Sequence, residues 1–374
     1  VMKKLIVLAL SISCLMFTSF ISHAEVTFQG FASFVGGATL DKDESYQGYE
    51  NKLEFNNNSL YALQASSPMG DGLTVTGQLI ARGTENYKPE FEWMYMSYNL
   101  TSNLSAKVGR VRTAFYMFSE FLEVGYAFNW IRPPEELYAA QITNLDGVSF
   151  LYNMAIGSVD SQFMIAMGHR RDYSEDPATT ESDFTSIIQA YAQFESGPYT
   201  GKFIYAQGDL SIASAVTDGV VTSFTDNGAG AFANEYVAIS DSQLIFTGAG
   251  LDMNFHPFKV LVEVSFLDFE DLVFISDETR MLASAAYNAG DNTFSYTWSS
   301  NEKESEDSII TNAPAAFQAT VASLLPNADV TTHTLGLRHD FHDTASVKVE
   351  FISTEETKAK TEANLLRFGV DMLF

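Results

Sequence analysis

The chain has 374 residues, with 47 acidic against 21 basic side chains and a formal net charge of −26. That surplus of acid argues against nucleic acid as a partner, and beyond the first 24 residues no apolar stretch reaches the roughly 18 residues of a membrane-spanning helix. One large closed barrel, or one or two soluble β-rich domains, fits the remaining length of about 350 residues.

The amino terminus reads Lys3-Lys4, an apolar run from Leu5 to Ile21, then Ser22-His23-Ala24 before Glu25. A positive start, an apolar middle and a small-x-Ala end predict a signal peptide cleaved after Ala24, so residues 1–24 are set apart from the fold at 25–374. Cys14 leaves with it, and the mature chain then carries no cysteine, as suits an envelope compartment.

From Glu25 onward the sequence predicts strands of roughly 9 to 13 residues, near the length a tilted membrane strand needs. Val26–Gly36 precedes a charged stretch, Asp41–Asn51, and Lys52–Ser66 runs into the turn Ser67–Gly72. In the next strand Leu73, Val75, Leu79 and Ala81 share one face and Thr74, Thr76, Gln78 and Arg82 the other, with Ile80 the exception. Phe91–Leu100 and Leu104–Val111 flank the turn Thr101–Asn103 and lead into a long segment, Thr113–Ala140. Leu145–Met154, Val159–Arg170, Phe184–Glu195 and Tyr199–Asp209 come next, before a loop over Leu210–Ser240 with the flexible run Gly228-Ala229-Gly230. Ser242–Phe255, Phe258–Leu267, Thr279–Tyr287 and Asn292–Ser299 then precede another long loop, Ser300–Ala328. Val330–Phe341 and Ala345–Ser353 lead to the final strand, Glu362–Phe374.

That final strand has the plainest pattern. Phe374, Met372, Val370, Phe368 and Leu366 fall on one parity, and Asp371, Gly369 and Arg367 on the other. An apolar face ending in an aromatic residue suggests lipid outside and water inside. The count is about 16 strands with short and long connections alternating, which an up-and-down barrel requires and a sandwich does not. A closed sheet is also what hydrocarbon demands, because it leaves no backbone donor unpaired.

In its signal peptide, strand count, long third outer connection beginning after Gly109-Arg110 and terminal Phe374, the chain resembles the general porins of Gram-negative outer membranes. The resemblance implies an all-β transmembrane antiparallel barrel whose third outer loop folds inward. It implies a homotrimer with one pore per subunit, and Phe374 as the membrane-insertion signal read by the barrel-assembly machinery. It further implies acidic groups on the loop facing basic groups on the wall at a pore constriction. Loop candidates are Glu120, Glu123, Glu135 and Glu136, with Arg132 beside them; wall candidates are Arg82, Arg110 and Arg112. Opposed charges around confined water orient polar solutes and penalise apolar ones.

Strand parity places Arg82 in the lumen with Thr76 and Gln78, and adds Lys202, Lys259, Lys348 and Arg367 as lumen candidates. Arg110 and Arg112 share parity with Val108 on the lipid side, so they reach the lumen only if the strand ends or bulges near Gly109. The aromatic run Phe115, Tyr116, Phe118, Tyr126 and Trp130 reads as packing of the loop before it reads as a sugar slide. Acidic clusters at Asp41, Asp43 and Glu44, at Asp172, Glu175 and Asp176, and at Glu302, Glu304, Glu306 and Asp307 read as solvated loop charge before divalent-cation sites bridging lipopolysaccharide.

No metal and no cofactor is expected, and the chain is not read as an enzyme. His169, His256, His333, His339 and His342 lack a nucleophile or zinc-helix pattern around them. The expected function is a water-filled outer-membrane channel for passive diffusion of small hydrophilic solutes and ions, in contact with lipid and lipopolysaccharide. Alternatives are a channel specific for a sugar or organic anion, a barrel enzyme, and a secreted β-rich binding protein.

Overall fold

The computed structural model describes residues 25–139, 142–172, 180–326 and 328–374; the expected signal peptide with Cys14, and the loop acids Glu175 and Asp176, lie outside them. Sixteen strands run in chain order. They are β1 (Thr27–Thr39), β2 (Leu60–Gly70), β3 (Leu73–Arg82), β4 (Pro89–Asn99), β5 (Leu104–Arg112), β6 (Asn144–Ile156), β7 (Val159–Asp172), β8 (Glu181–Ser196), β9 (Tyr199–Ala213), β10 (Ile239–Phe255), β11 (Phe258–Phe269), β12 (Asp277–Ala289), β13 (Asn292–Glu304), β14 (Asp329–His342), β15 (Ala345–Glu356) and β16 (Thr361–Leu373). Each pairs antiparallel with its sequence neighbour, and β1 pairs with β16, so the sheet closes on itself.

Alternation decides which side each residue faces. On β16, Leu366 and Phe368 are 44% and 42% exposed, while Arg367 between them is 2% exposed. The same contrast sets outward Tyr199, Phe203 and Tyr205 against inward Lys202, and sends Phe258, Val262 and Phe266 outward together. Exposed apolar groups on the convex side and buried charges on the concave side reverse the order of a soluble sheet. The seam is closed by the end of the chain. Phe374 and Gly30 exchange backbone hydrogen bonds of 2.7 and 3.0 Å, and the Phe374 ring stacks on Tyr61 at 5.4 Å between centroids.

Two sequence expectations are corrected. β2 begins at Leu60, eight residues after Lys52, because residues 40–59 fold as a loop with Tyr49 fully buried and its hydroxyl bonded to Asn58. Ile80, the exception to the apolar-polar pattern of β3, does face inward with the polar residues of its parity, where Phe31, Leu60, Ala62 and Val124 of the long third connection cover it. The loops expected over 210–240 and 300–328 contain helices, Ala215–Asp226, Asp307–Asn312 and Gln318–Leu324. The first is capped by Ser214 and spaces Val216, Val220, Val221 and Phe224 at helical intervals. Phe224, Phe232, Val237, Val273, Ile309 and Val321 form an apolar cluster of their own at the long-loop end of the barrel.

Candidate pore constriction

The segment joining β5 to β6, residues 113–143, meets inward-facing side chains of β8 through β16. It is held chiefly by its own main chain. Lys202 donates to the Tyr116 carbonyl at 3.1 Å, Arg280 to that of Ala139 at 2.8 Å, and Arg338 to those of Tyr126 and Phe128, both at 2.7 Å. Lys348 reaches the carbonyls of Gly125 and Trp130 at 2.6 and 2.8 Å. Carboxylates take the complementary part: Glu263 accepts from the Met117 N–H and Glu350 from the Ile131 N–H, each at 2.8 Å. Irregular backbone cannot pair with itself as a strand does, so at this depth the wall must supply its partners.

Side chains complete the seating. Trp130 Nε1 donates to Thr297 Oγ1 at 2.8 Å, and the Tyr138 hydroxyl donates to Glu263 at 2.6 Å. Burial, with Glu263 adding to it, pushes the Tyr138 phenol well above its ordinary value, and burial raises Tyr116 to about 12. Both phenols therefore remain protonated, the Tyr138 hydroxyl donating to Glu263 and that of Tyr116 accepting from Arg280 at 3.0 Å. Tyr116, Phe128, Trp130 and Leu137 pack on Ile204, Phe246, Leu261 and Leu282 of the wall. Backbones approach closely enough that a Cβ on Gly125 would lie 2.1 Å from Asp371 Oδ1, and one on Gly250 2.4 Å from Met117 Cγ.

Opposite this covered wall lies a cluster of charge. The β3–β4 register slips by one residue between Gln78–Trp93 and Leu79–Phe91, leaving Glu92 as the extra residue of a bulge. The bulge turns Glu92 inward, where it is ion-paired with Arg82 at 2.6 Å and with Arg112. Arg82 also pairs with Glu90 and, at 2.8 Å, with Glu123 of the segment. Burial works to raise the Glu123 carboxyl, and the guanidinium groups of Arg82, Arg112 and Arg132 outweigh it, holding it below the ordinary 4.5. A cavity of about 210 Å³ on one side is lined by Arg82, Glu123, Arg132 and Glu135; another of about 190 Å³ is lined by Trp93, Lys107, Arg112 and Glu120.

Among the expected constriction residues, Arg82, Arg112 and Glu123 meet, Arg132 adjoins them, and Glu120 and Glu135 stand exposed at the two cavities. Two do not join. Arg110 pairs with Asp146 at 2.9 Å on the outer face, because the β5–β6 register runs unbroken past Gly109 and keeps it in phase with Val108, which is 50% exposed. The β4–β5 ladder stops at Met94–Arg110, and only past that point does Arg112 turn in. Glu136 is buried behind the segment, accepting from Tyr46, Ser299 and Thr332, since on the single helical turn α1 (Glu135–Tyr138) neighbouring residues point apart.

Lys202, Lys348 and Arg367 face inward as parity predicts, yet they lie buried beneath the segment and do not border open water. Lys259 is partly exposed and pairs with Asp252 at 3.0 Å. The aromatic run is packing, with Tyr116 and Trp130 both buried. Sequence reasoning missed Glu92, Glu263, Arg280, Arg338 and Glu350. Parity alone finds Glu263 and Glu350; the bulged Glu92 has no such signal.

The family model for Gram-negative porins matches residues 9–359. The chain belongs to the Gram-negative porin family. No curated protein sequence matches this porin. Among solved structures it is similar to the outer-membrane channel DcaP of Acinetobacter baumannii, at TM-score 0.60 and 11% identity over 93% of this chain and 97% of that one. The anion-selective porin from Comamonas acidovorans aligns at TM-score 0.58 and 13% identity, covering 94% and 99% of the two chains. A trimer form of OmpT, an outer-membrane protein of Vibrio cholerae, aligns at 0.55 and 14%, covering 93% and 99%. This porin is thus an outer-membrane barrel of 16 strands that works as a passive channel.

Proposed function

We propose that the segment 113–143 is an inward-folded constriction loop, and that Arg82, Glu92, Arg112 and Glu123, with Arg132 behind them, form the narrowest part of the channel. The observation that carries this reading is the ion-paired cluster lying between two cavities, one on either side. Paired charges at a neck favour small hydrophilic solutes, which exchange hydration for fixed dipoles, over apolar ones, which cannot. Passage is by diffusion, and His333, His339 and His342 hydrogen-bond to Tyr296, Asn292 and Thr344.

The mature protein begins after cleavage at Ala24, Phe374 serves as the insertion signal for the barrel-assembly machinery, and the subunits assemble as a homotrimer in contact with lipid and lipopolysaccharide. Support for the trimer is the trimeric OmpT relative. Conductance in planar bilayers tests the constriction. Replacing Arg82 and Glu123 together with alanine should raise single-channel conductance and admit larger sugars; unchanged conductance and the same size limit would remove the cluster from the solute path.

A further inference from the structure

Every inward-turned basic side chain named above is matched. Lys202, Arg280, Arg338, Lys348 and Arg367 hold carbonyls or carboxylates, Lys259 holds Asp252, and Arg82 and Arg112 share Glu92. Lys107 differs. Its neighbours across the ladders are Ser97 and Ser149, and among the described residues it makes neither an ion pair nor a hydrogen bond. Its ammonium lies 5.0 Å from the centre of the Tyr95 ring and borders the cavity of about 190 Å³ below the charged cluster.

The rest of that cavity is unusual for a water passage. Trp93, Tyr95 and Tyr191 present rings to it, and Leu151 and Met164 add aliphatic surface. Arg112 lies 5.7 Å from the Trp93 ring, already neutralised by Glu92. Glu120 stands on the opposite, segment side and accepts from the Tyr191 hydroxyl at 3.3 Å. Water can hydrate a half-exposed ammonium but gains nothing from the rings beside it, whereas an anion carrying a ring meets both.

We propose that this cavity is a binding subsite for small organic monoanions bearing a flat ring, the carboxylate pairing with Lys107 and the ring lying against Trp93 and Tyr95. Glu120 sets the charge limit by repelling a second anionic group on the far side of the ring. The inference rests on the channel reading above and names a solute class for it.

Planar-bilayer current in potassium chloride, with benzoate, acetate, benzyl alcohol and isophthalate added in turn, provides the test. Benzoate should reduce the current saturably, and the other three should need concentrations about tenfold higher or more: acetate lacks the ring, benzyl alcohol lacks the charge, and isophthalate carries a second carboxylate that Glu120 repels. Lys107→Gln should weaken benzoate about tenfold, and Trp93→Leu should weaken benzoate without changing acetate. Equal action of benzoate and acetate would overturn the ring contact, and an unchanged response in Lys107→Gln would overturn the cation. If the wild-type barrel conducts nothing, the channel reading fails by itself. Calorimetric titration of the detergent-solubilised barrel with benzoate then decides the subsite: binding lost in Lys107→Gln upholds it, and no binding ends it.

Discussion

The two halves of the inner wall have opposite fates. From β8 to β16 the segment between β5 and β6 covers most of the inward side chains, and their charges, Lys259 and its partner Asp252 aside, are engaged in holding it; Lys348 is fully buried and bridges Asp371 at 2.8 Å as well as two carbonyls. From β3 to β6 the wall keeps half-exposed groups, Trp93, Tyr95, Lys107 and Ser149. Equal parity therefore does not mean equal role. A basic residue facing inward is a structural clamp on one side and, in the subsite proposed above, a solute contact on the other, and what separates them is whether polypeptide or water lies in front.

The contrast breaks most severely at Lys348. Lys348→Met would strand the buried Asp371 carboxylate and two segment carbonyls, and we expect a loss of about 3–5 kcal/mol in the urea unfolding midpoint of the barrel in lipid vesicles. Glu263→Leu should cost less, about 1–3 kcal/mol in all, because the donors it leaves unpaired, the Met117 N–H and the Tyr138 hydroxyl, are uncharged; it should also add noise to the open-channel current as the segment loosens.

On the open side, pH sharpens the comparison. The folded Glu123 lies below its ordinary 4.5, so its pairing with Arg82 contributes fully above that value and is lost only as pH falls through the lower folded one. Burial raises the neighbouring Glu135 carboxyl, so the measurement is made with Glu135→Gln in place: reversal potentials in a salt gradient should then hold steady from neutral pH down to 4.5 and shift only in more acidic solution, and a shift already complete near pH 6 would contradict the geometry. Smallest is Arg110→Ala. Its outward pair with Asp146 should leave conductance unchanged and stability within about 1 kcal/mol, read from the same urea midpoint.

Much of the barrel was legible because two-residue alternation is fixed by the backbone and leaves its mark in every strand. Arg367 against Leu366 and Phe368 is read as easily in the sequence as in three dimensions. The strand count follows in the same way. The charged cluster proposed as the constriction was legible in part. Arg82 follows from parity, but Arg112 needed the end of the β4–β5 ladder and Glu92 needed a one-residue bulge, neither of which leaves a compositional trace. Lys107, opposed to Val108 on β5, was available to the same alternation rule that found Arg82, whereas the burial of Lys202 and Lys348 was not, because it depends on where a distant segment comes to rest. The helix at Ala215–Asp226 was missed for another reason: its apolar residues repeat at helical spacing, but inside a stretch taken for a loop.

Clamping through main-chain atoms has a consequence for how such a channel changes over generations. Arg338, Lys348, Glu263 and Glu350 grip carbonyls and amides, which nearly every amino acid offers in the same place, proline's missing N–H aside. If the segment lines the bore as proposed, substitutions at its unpacked side chains alter the opening while these main-chain bonds stay in place. One scaffold can then be retuned toward other solutes by changes that selection on folding scarcely sees.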